Sequence, residues 1–372
     1  MSDKTKTPLI IVTGPTASGK SSVGVELALK INGAVVSADS VQVYRGMDIG
    51  SAKISEEEMK GVKHFLISEL EPDEPFNVSE FVTMAEAAIS RITDAGMLPI
   101  VVGGTAFYIQ ALLKGVVFDE STGEDRGFRK DCKEFLDSPD EKKWERIFGK
   151  YFADIIGHAD ESLFRDMTIR KPVISDGLND KRSGFQDFYA REVSLYTFLK
   201  YIDPVYATST HMNNNKRVIR ALEYFKATGE RFSDYNMREA GRESKYDFFY
   251  FVLEDDRTAL YERINARVDK MISDGLEAEV RQLLSRGFDP GLKSMQSIGY
   301  KEMVDYINEE CSFGSAVESI KQNTRHFAKR QMTWFRREKD VIPIDIREHG
   351  YDAGRIAEYI CGKVCRMGTV PI

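Results

Sequence analysis

The chain of 372 residues is 42% hydrophobic, 30% charged and 11% aromatic, which excludes a disordered, collagen-like or low-complexity polypeptide; its length fits two domains. Lys plus Arg number 52 and Asp plus Glu 59, a net charge of −7. That balance excludes a general polyanion binder but leaves room for local basic surfaces, because affinity for phosphate backbones comes from clustered positive charge.

No apolar run approaches the ~20 residues needed to cross a bilayer, so no membrane partner is expected. Residues 1–8 are polar and run straight into a strand-like stretch, which predicts no signal peptide. The cysteines Cys132, Cys311, Cys361 and Cys365 form no CxxC pair, so neither a disulfide framework nor a structural zinc site is expected. Cys361 and Cys365, four apart, read as small core residues on a terminal helix. A reducing, cytoplasmic location is expected.

Residues 9–13 (LIIVT) form a short continuous apolar run, the pattern of a buried parallel strand. A glycine turn follows, and residues 21–31 place Val23, Leu27, Ala28 and Ile31 on one helical face. Residues 34–39 (AVVSAD) read as a second strand ending in an acid and lying beside the first. Residues 81–95 read as a helix closed by Gly96, and residues 98–102 (LPIVV) as a further buried strand. Strand alternating with helix predicts an α/β domain with a parallel sheet and right-handed crossovers. From Asp119 the texture becomes charged and helical, with an exposed loop expected at residues 171–183. Residues 246–253 (YDFFYFVL) are strand-like again and precede two long helical patterns. The expected organisation is an α/β core of residues 1–118 and 246–372, interrupted by a helical insertion at 119–245.

Gly14, Pro15, Thr16, Ala17, Ser18, Gly19, Lys20 and Ser21 match G-x-x-x-x-G-K-[ST] between a strand and a helix. Glycines let backbone N–H groups turn around phosphate oxygens, and the helix N-terminus adds a positive dipole end. Lys20 supplies a point charge, and the Ser21 hydroxyl is placed to ligate Mg²⁺. The motif binds a diphosphate or polyphosphate, and does not by itself say whether that ligand is ATP. The strand 98–102 ends in Gly103-Gly104-Thr105 without an acid, so the strand-end acid is Asp39. Asp39 reads either as a turn cap or as a functional carboxylate at the sheet edge where open α/β folds bind ligands.

Asp39 opens the stretch 39–53 (DSVQVYRGMDIGSAK). Together with GPTASGKS before it, this closely resembles the tRNA dimethylallyltransferase (tRNA isopentenyltransferase) family. Further blocks follow in family order: 102–105 (VGGT) with Tyr108, 216–223 (KRVIRALE), 263–267 (RINAR), 298–302 (IGYKE) and 328–336 (AKRQMTWFR). No C-terminal C2H2 zinc finger is present, which favours the bacterial type. Two departures are Ser51, where the family commonly has Thr, and a stretch at about 135–191 that is longer than in compact bacterial members.

The resemblance implies a P-loop NTPase-like core and transfer of a dimethylallyl group from dimethylallyl diphosphate to N6 of adenosine 37 of tRNA, with Mg²⁺ assisting. It also implies that Asp39 is the general base, that Arg267 attends the departing diphosphate, and that Thr105 lies near the reacting adenine. The tRNA contacts it implies are Asp39, Ser40, Val41, Gln42, Thr105, Lys216, Arg217, Arg220, Gly299, Tyr300, Lys301, Lys329, Arg330, Gln331, Trp334 and Arg336, with the helical insertion clamping the anticodon stem. The expected partners are therefore the anticodon stem-loop and the prenyl donor, and the chain is expected to be a monomer.

The basic residues bear on RNA independently. Arg263, Arg267 and Lys270 recur at helical spacing beside an apolar stripe; a solvated helix face is the ordinary alternative. Residues 325–339 carry six Lys or Arg and one acid, with Phe327 and Trp334 alongside and Lys321, Arg325, Lys329 and Arg336 on one stripe. A locally reversed charge with aromatics points to phosphate contacts and base stacking. Lys216, Arg217 and Arg220 make a second, smaller patch. The five histidines show no ligand spacing. Rival readings are an isopentenyltransferase acting on free adenine nucleotides, a small-molecule P-loop kinase, and an RNA-binding protein without catalysis.

Overall fold

A computed structural model describes residues 6–115, 125–152 and 194–366. The apolar run near the start forms strand β1 (Thr7–Thr13), buried from Leu9 onward. Continuous burial requires cover on both faces, which a parallel sheet flanked by helices supplies. The other strands are β2 (Gly33–Ser37), β3 (His64–Phe65), β4 (Leu98–Gly103), β5 (Tyr246–Glu254) and β6 (Val341–Asp345). They form a six-stranded sheet in the order β3-β2-β4-β1-β5-β6, with every pairing parallel. Two of these strands are beyond the sequence reading: β3 has only two residues, and β6 carries Pro343, which an edge strand tolerates.

Helix α1 (Lys20–Ile31) follows the glycine turn and ends at Asn32, whose left-handed backbone (φ 49) closes it. The short α2 (Glu56–Met59) and α3 (Val78–Asp94) both begin with a reciprocal capping box, Ser55 with Glu58 and Asn77 with Glu80. Helix α4 (Ala106–Lys114) leaves the end of β4.

The chain divides into two compact units, Met1–Gly115 with Glu243–Ile372, and Val116–Arg242. In the second unit the described helices are α5 (Arg126–Asp137), α6 (Glu141–Tyr151), α7 (Leu195–Ile202), α8 (Pro204–Thr208), α9 (Asn215–Thr228) and α10 (Phe232–Ala240). Their core joins Phe128, Phe135, Trp144, Ile147, Phe198 and Leu222. The loop expected at 171–183 lies outside the described residues.

After β5 the first unit continues with α11 (Arg257–Ser273), α12 (Leu276–Ser285), α13 (Tyr300–Ile307), α14 (Phe313–Phe335) and α15 (Ala353–Arg366). Two of these, α11 and α14, are the long helices expected; the others are additions. Helices α1 and α15 share one core with the sheet, joining Val23 and Leu27 to Ile10, Ile100, Ile356 and Ile360. Helix α3 packs against β2 and β4. On α15 Cys361 is half-buried but Cys365 is exposed, so the pair is not the core pair the spacing predicts; four residues advance a helix by more than one turn, enough to carry Cys365 to the rim. Among the described residues no helix is long and apolar enough to cross a membrane.

One expected adjacency is overturned. Strand β2 is not the neighbour of β1, because β4 lies between them. The β1–α1–β2 crossover skips one position, and the later strand fills it. The chain after β2 nevertheless returns to the centre of the edge. The Ala38 amide donates to Val102 O at 2.8 Å, and the Ala38 carbonyl accepts from Thr105 N at 3.2 Å. A Cβ on Gly103 would overlap that same carbonyl oxygen. Gly103→Ala is therefore expected to cost about 1–3 kcal/mol or more, the penalty of forcing atoms into a packed site that cannot relax. Urea denaturation of the variant, with an unchanged m-value, would measure it.

Candidate functional site

Strands β1 and β4 run side by side, with Thr13 opposite Gly103 and its hydroxyl donating to Gly103 O at 2.6 Å. The glycine turns after them therefore emerge together at the carboxyl edge. A Cβ on Gly104 would come within 3.4 Å of Lys20 Cε and 3.5 Å of Gly14 O. This is the crevice where open α/β sheets bind ligands.

Residues 14–21 form a compact loop into α1. Gly14 has φ 155, and a Cβ there would meet Leu253 O at 2.8 Å. Ala17 carries φ 63, an uncommon value for a residue with a side chain. At Gly19 (φ 82) nothing lies within 4 Å of where a Cβ would stand, so the approach to the helix N-terminus is open. Pro15 is buried and Thr16 half-buried. Ser18 is 3% exposed, and its Oγ has no hydrogen-bond partner among the described residues. A buried orphan hydroxyl is a group that a bound ligand can satisfy. Ser21 stands half-buried in the first turn of α1.

The strained turn is held from outside. Arg263 of α11 donates Nε–H to Ala17 O at 3.0 Å, pairs with Asp255, and lies over the Tyr351 ring at 4.9 Å. Its helical spacing with Arg267 reads equally as a solvated face; it is a clamp on the loop. Arg267, one turn further along α11, does reach the site. Burial pulls its guanidinium below the usual value, opposed by the carboxylates of Asp39 and Glu58. Burial likewise lowers Lys20 to about 8; the Arg267 charge adds to this, and Asp39 opposes it. Lys20 Nζ donates to Pro15 O at 3.1 Å. Asp39 acts on both cations and Glu58 on Arg267 as well; two cations gathered at one crevice suit a polyanion.

Asp39 caps a turn, as one of its two readings expects. Its Oδ1 caps the following turn, accepting from Val41 N at 2.9 Å and Gln42 N at 3.2 Å, while its charge reaches Lys20 and Arg267. Beside it Ser40 is exposed and Val41 half-buried. Gln42 Nε2 donates to Ser51 O and Ala52 O at 3.4 and 3.3 Å, tying the ends of the 39–53 loop together. Lys53, 6% exposed at its side chain, donates to Tyr44 O, Asp48 Oδ1 and Ser68 Oγ. Glu279 of α12 accepts from the successive amides of Asp48, Ile49 and Gly50 at 2.9, 2.7 and 3.0 Å, and from the Tyr300 hydroxyl at 2.7 Å. Thr105 begins α4 half-buried beside Asp39's neighbour Ala38, and its hydroxyl makes no cap hydrogen bond.

Several residues expected to contact RNA are buried and bonded within the protein. Tyr300 is 0% exposed and lies under Gly50, where a Cβ would meet its ring at 2.5 Å; Gly299 beside it is also buried, with φ 98. Both shape the 39–53 loop, and of that trio only Lys301 is exposed. Gln331 is 5% exposed: Oε1 accepts from Thr16 N at 2.9 Å and Nε2 donates to Gly104 O at 2.8 Å. On the same helix Lys321 pairs with Asp269 at 2.6 Å, and Arg325 bonds Asn265 at 2.7 Å and Glu318 at 3.0 Å. That half of the basic stripe docks α14 onto α11. Lys329 and Arg336 of the stripe are exposed, as are Arg330, Arg337 and Lys339 beside it. Trp334 is half-buried, edge-on to the exposed Phe107 at 6.3 Å, and Phe327 lies under Arg330 at 5.7 Å. In the second unit Lys216 and Arg217 are exposed at the start of α9, whereas Arg220 turns to the buried Glu223 at 3.1 Å, which Arg129 also grips.

Among the described residues no group of three or more His, Cys, Asp or Glu could hold a metal ion. One serine hydroxyl beside a polyanion site fits Mg²⁺ that arrives with a phosphate ligand and keeps most of its waters, and does not fit a resident caged ion.

The IPP transferase family model matches residues 42–153 and 161–338. A tRNA dimethylallyltransferase of Lachnoclostridium phytofermentans is 44% identical over 353 residues, covering 95% of this chain and 96% of the relative. One from Pelotomaculum thermopropionicum is 39% identical, covering 96% and 97%. Among solved structures, a tRNA isopentenylpyrophosphate transferase from Bacillus halodurans superimposes with a TM-score of 0.62 at 34% identity, covering 97% and 98%. A eukaryotic dimethylallyltransferase acting on tRNA gives 0.70 at 25% identity, covering 98% and 81%. With its parallel P-loop core and a family model spanning most of its length, the chain belongs to the IPP transferase family.

Proposed function

We propose that the chain transfers a dimethylallyl group from dimethylallyl diphosphate to N6 of adenosine 37 of tRNA, releasing diphosphate. One observation carries this reading: Ala38 O, next to Asp39, accepts from Thr105 N at 3.2 Å, and a Cβ on the adjacent Gly104 would come within 3.4 Å of Lys20 Cε, so a phosphate loop and a carboxylate turn share one crevice. A P-loop beside a base suits an anionic leaving group on one side and a weak nucleophile on the other.

The adenine amine is a poor nucleophile because its lone pair is delocalised into the ring. Asp39 accepts its proton as the C–N bond forms, a contribution worth ~10²- to 10⁴-fold. As the C–O bond to diphosphate breaks, Lys20, Arg267 and the N-terminus of α1 stabilise the charge that develops, and preorganised groups of this kind usually lower a barrier more than any other single effect. Ser21 would hold Mg²⁺, which would supply further charge neutralisation when bound. Thr105 borders the adenine, which must leave its stack at a cost of a few kcal/mol. The exposed Lys301, Lys329, Arg330 and Arg336 contact tRNA phosphates, and Trp334 offers a stacking edge. The helical unit with Lys216 and Arg217 clamps the anticodon stem, and the enzyme works as a cytoplasmic monomer.

The test incubates the protein with Mg²⁺ and labelled dimethylallyl diphosphate, with unmodified tRNA or with AMP. Label at the adenine beside the anticodon is expected; label only in AMP would mean a free-nucleotide enzyme. Asp39→Asn keeps an oxygen to cap the Val41 and Gln42 amides but removes the base. It should lower the single-turnover rate by ~10²- to 10⁴-fold with tRNA affinity within about twofold. A normal single-turnover rate in that variant would remove Asp39 from the chemistry.

Diphosphate binding should also depend on pH through Lys20. In the free protein this ammonium loses its proton near pH 8, and a bound anion raises that value. The contribution is therefore full below about pH 8, declines above it, and is lost as pH rises through the higher value of the bound state. Calorimetry should show diphosphate affinity falling above about pH 8, and the fall should be absent in Lys20→Met.

A further inference from the structure

The geometry points to Gln331 as a positioning residue that sets the distance between the donor loop and the acceptor turn. This rests on the proposed reaction, in which the loop holds the diphosphate and the turn borders the adenine.

The side chain is buried to 5% exposure and uses both ends of its amide. Oε1 accepts from Thr16 N at 2.9 Å, inside the phosphate loop. Nε2 donates to Gly104 O at 2.8 Å, one residue before Thr105. Gly104 has no room for a side chain, since a Cβ there would collide with Nε2. The amide thus spans the crevice at its base, touching only backbone. Backbone groups that find their partner in one buried side chain leave an unsatisfied N–H and C=O when it is removed.

The anchor itself is rigid. Helix α14 is joined to α11 by Lys321 with Asp269 and Arg325 with Asn265. Ala328, three residues before Gln331, is packed with Leu260 and Ile264 of α11, and the loop residue Ala17 lies against the same cluster. Helix α11 in turn grips Ala17 O through Arg263. The neighbours Thr16 and Ala17 are therefore each held by one helix of a single docked pair. Two residues away on α14, Lys329 faces solvent. The helix that offers cations to a nucleic acid backbone is thus also the one that fixes the two loops.

In-line displacement at the prenyl carbon needs the amine and the leaving group at near-attack separation, and a misplacement of about 1 Å can cost ~10²-fold. Gln331→Met keeps the length of the side chain and loses both hydrogen bonds. It should lower kcat by ~10- to 100-fold, with the KM for tRNA within about twofold. Gln331→Asn retains the amide on a side chain one methylene too short to span both partners; it should show the same split at smaller amplitude, and it serves if the methionine variant does not fold. The measurements are steady-state label transfer, tRNA affinity by filter binding, and thermal melting. A Gln331→Met enzyme with wild-type kcat overturns the inference. So does a loss confined to tRNA affinity, which would make Gln331 a direct RNA contact, or a lowered melting temperature with unchanged turnover, which would make the role merely structural. A wild type that transfers no label to tRNA overturns the proposed function, and this inference with it.

Discussion

The site depends on a backbone-to-backbone approach. The Ala38 carbonyl lies so close to Gly103 that a single methyl group would collide with it, and the same carbonyl accepts the Thr105 amide. This contact brings the segment after β2 across the end of β4 to the phosphate loop after β1, although β2 and β1 are not neighbours in the sheet. Without it Asp39 would end two strand spacings away from Lys20, and neighbouring strands stand ~4.8 Å apart. The Thr13 hydroxyl on Gly103 O fixes the remaining side of the junction.

Around that junction the molecule places unfavourable elements that the rest of the fold supports. Ala17 holds a left-handed backbone, Lys20 and Arg267 are cations partly removed from water, and Ser18 buries a hydroxyl with no partner among the described residues. Each costs free energy in the free protein, and strained or desolvated groups of this kind cluster at functional sites. The support is local and redundant: Arg263 and Gln331 hold adjacent residues of the loop from two docked helices. Glu279 gathers three successive amides of the 39–53 loop, and Lys53 closes that loop from within. The loop therefore behaves as a preformed wall, a requirement for catalysis by electrostatic preorganisation.

The basic helices show how charge at helical spacing divides its labour. On α14, Lys321 and Arg325 face inward to α11 while Lys329, Arg330 and Arg336 face solvent. On α11, Arg263 and Arg267 point toward the phosphate loop and Lys270 pairs with Asp274 at the surface. A stripe that reads as one electrostatic surface is in fact half scaffold. In the helical unit the same division separates Lys216 and Arg217 from Arg220, whose partner Glu223 is buried.

Local physics made much of this legible from sequence. Continuous apolar runs specify buried parallel strands, and a glycine-spaced loop ending in Lys20 and Ser21 specifies a phosphate cradle, because both depend on sterics and hydrogen bonds within a few residues. The acid Asp39 could be singled out for the same reason, and its turn-capping role read beside its functional one. Tertiary structure alone decided the insertion of β4 between β2 and β1, the pairing of β6, and the burial of Tyr300 and Gln331. A motif names Gln331 without saying which way it faces, and its partners Thr16 and Gly104 lie 315 and 227 residues away in the chain. Which side of a helix turns inward is settled by what packs against it, and that partner is chosen by topology, to which a window of neighbouring residues carries no information.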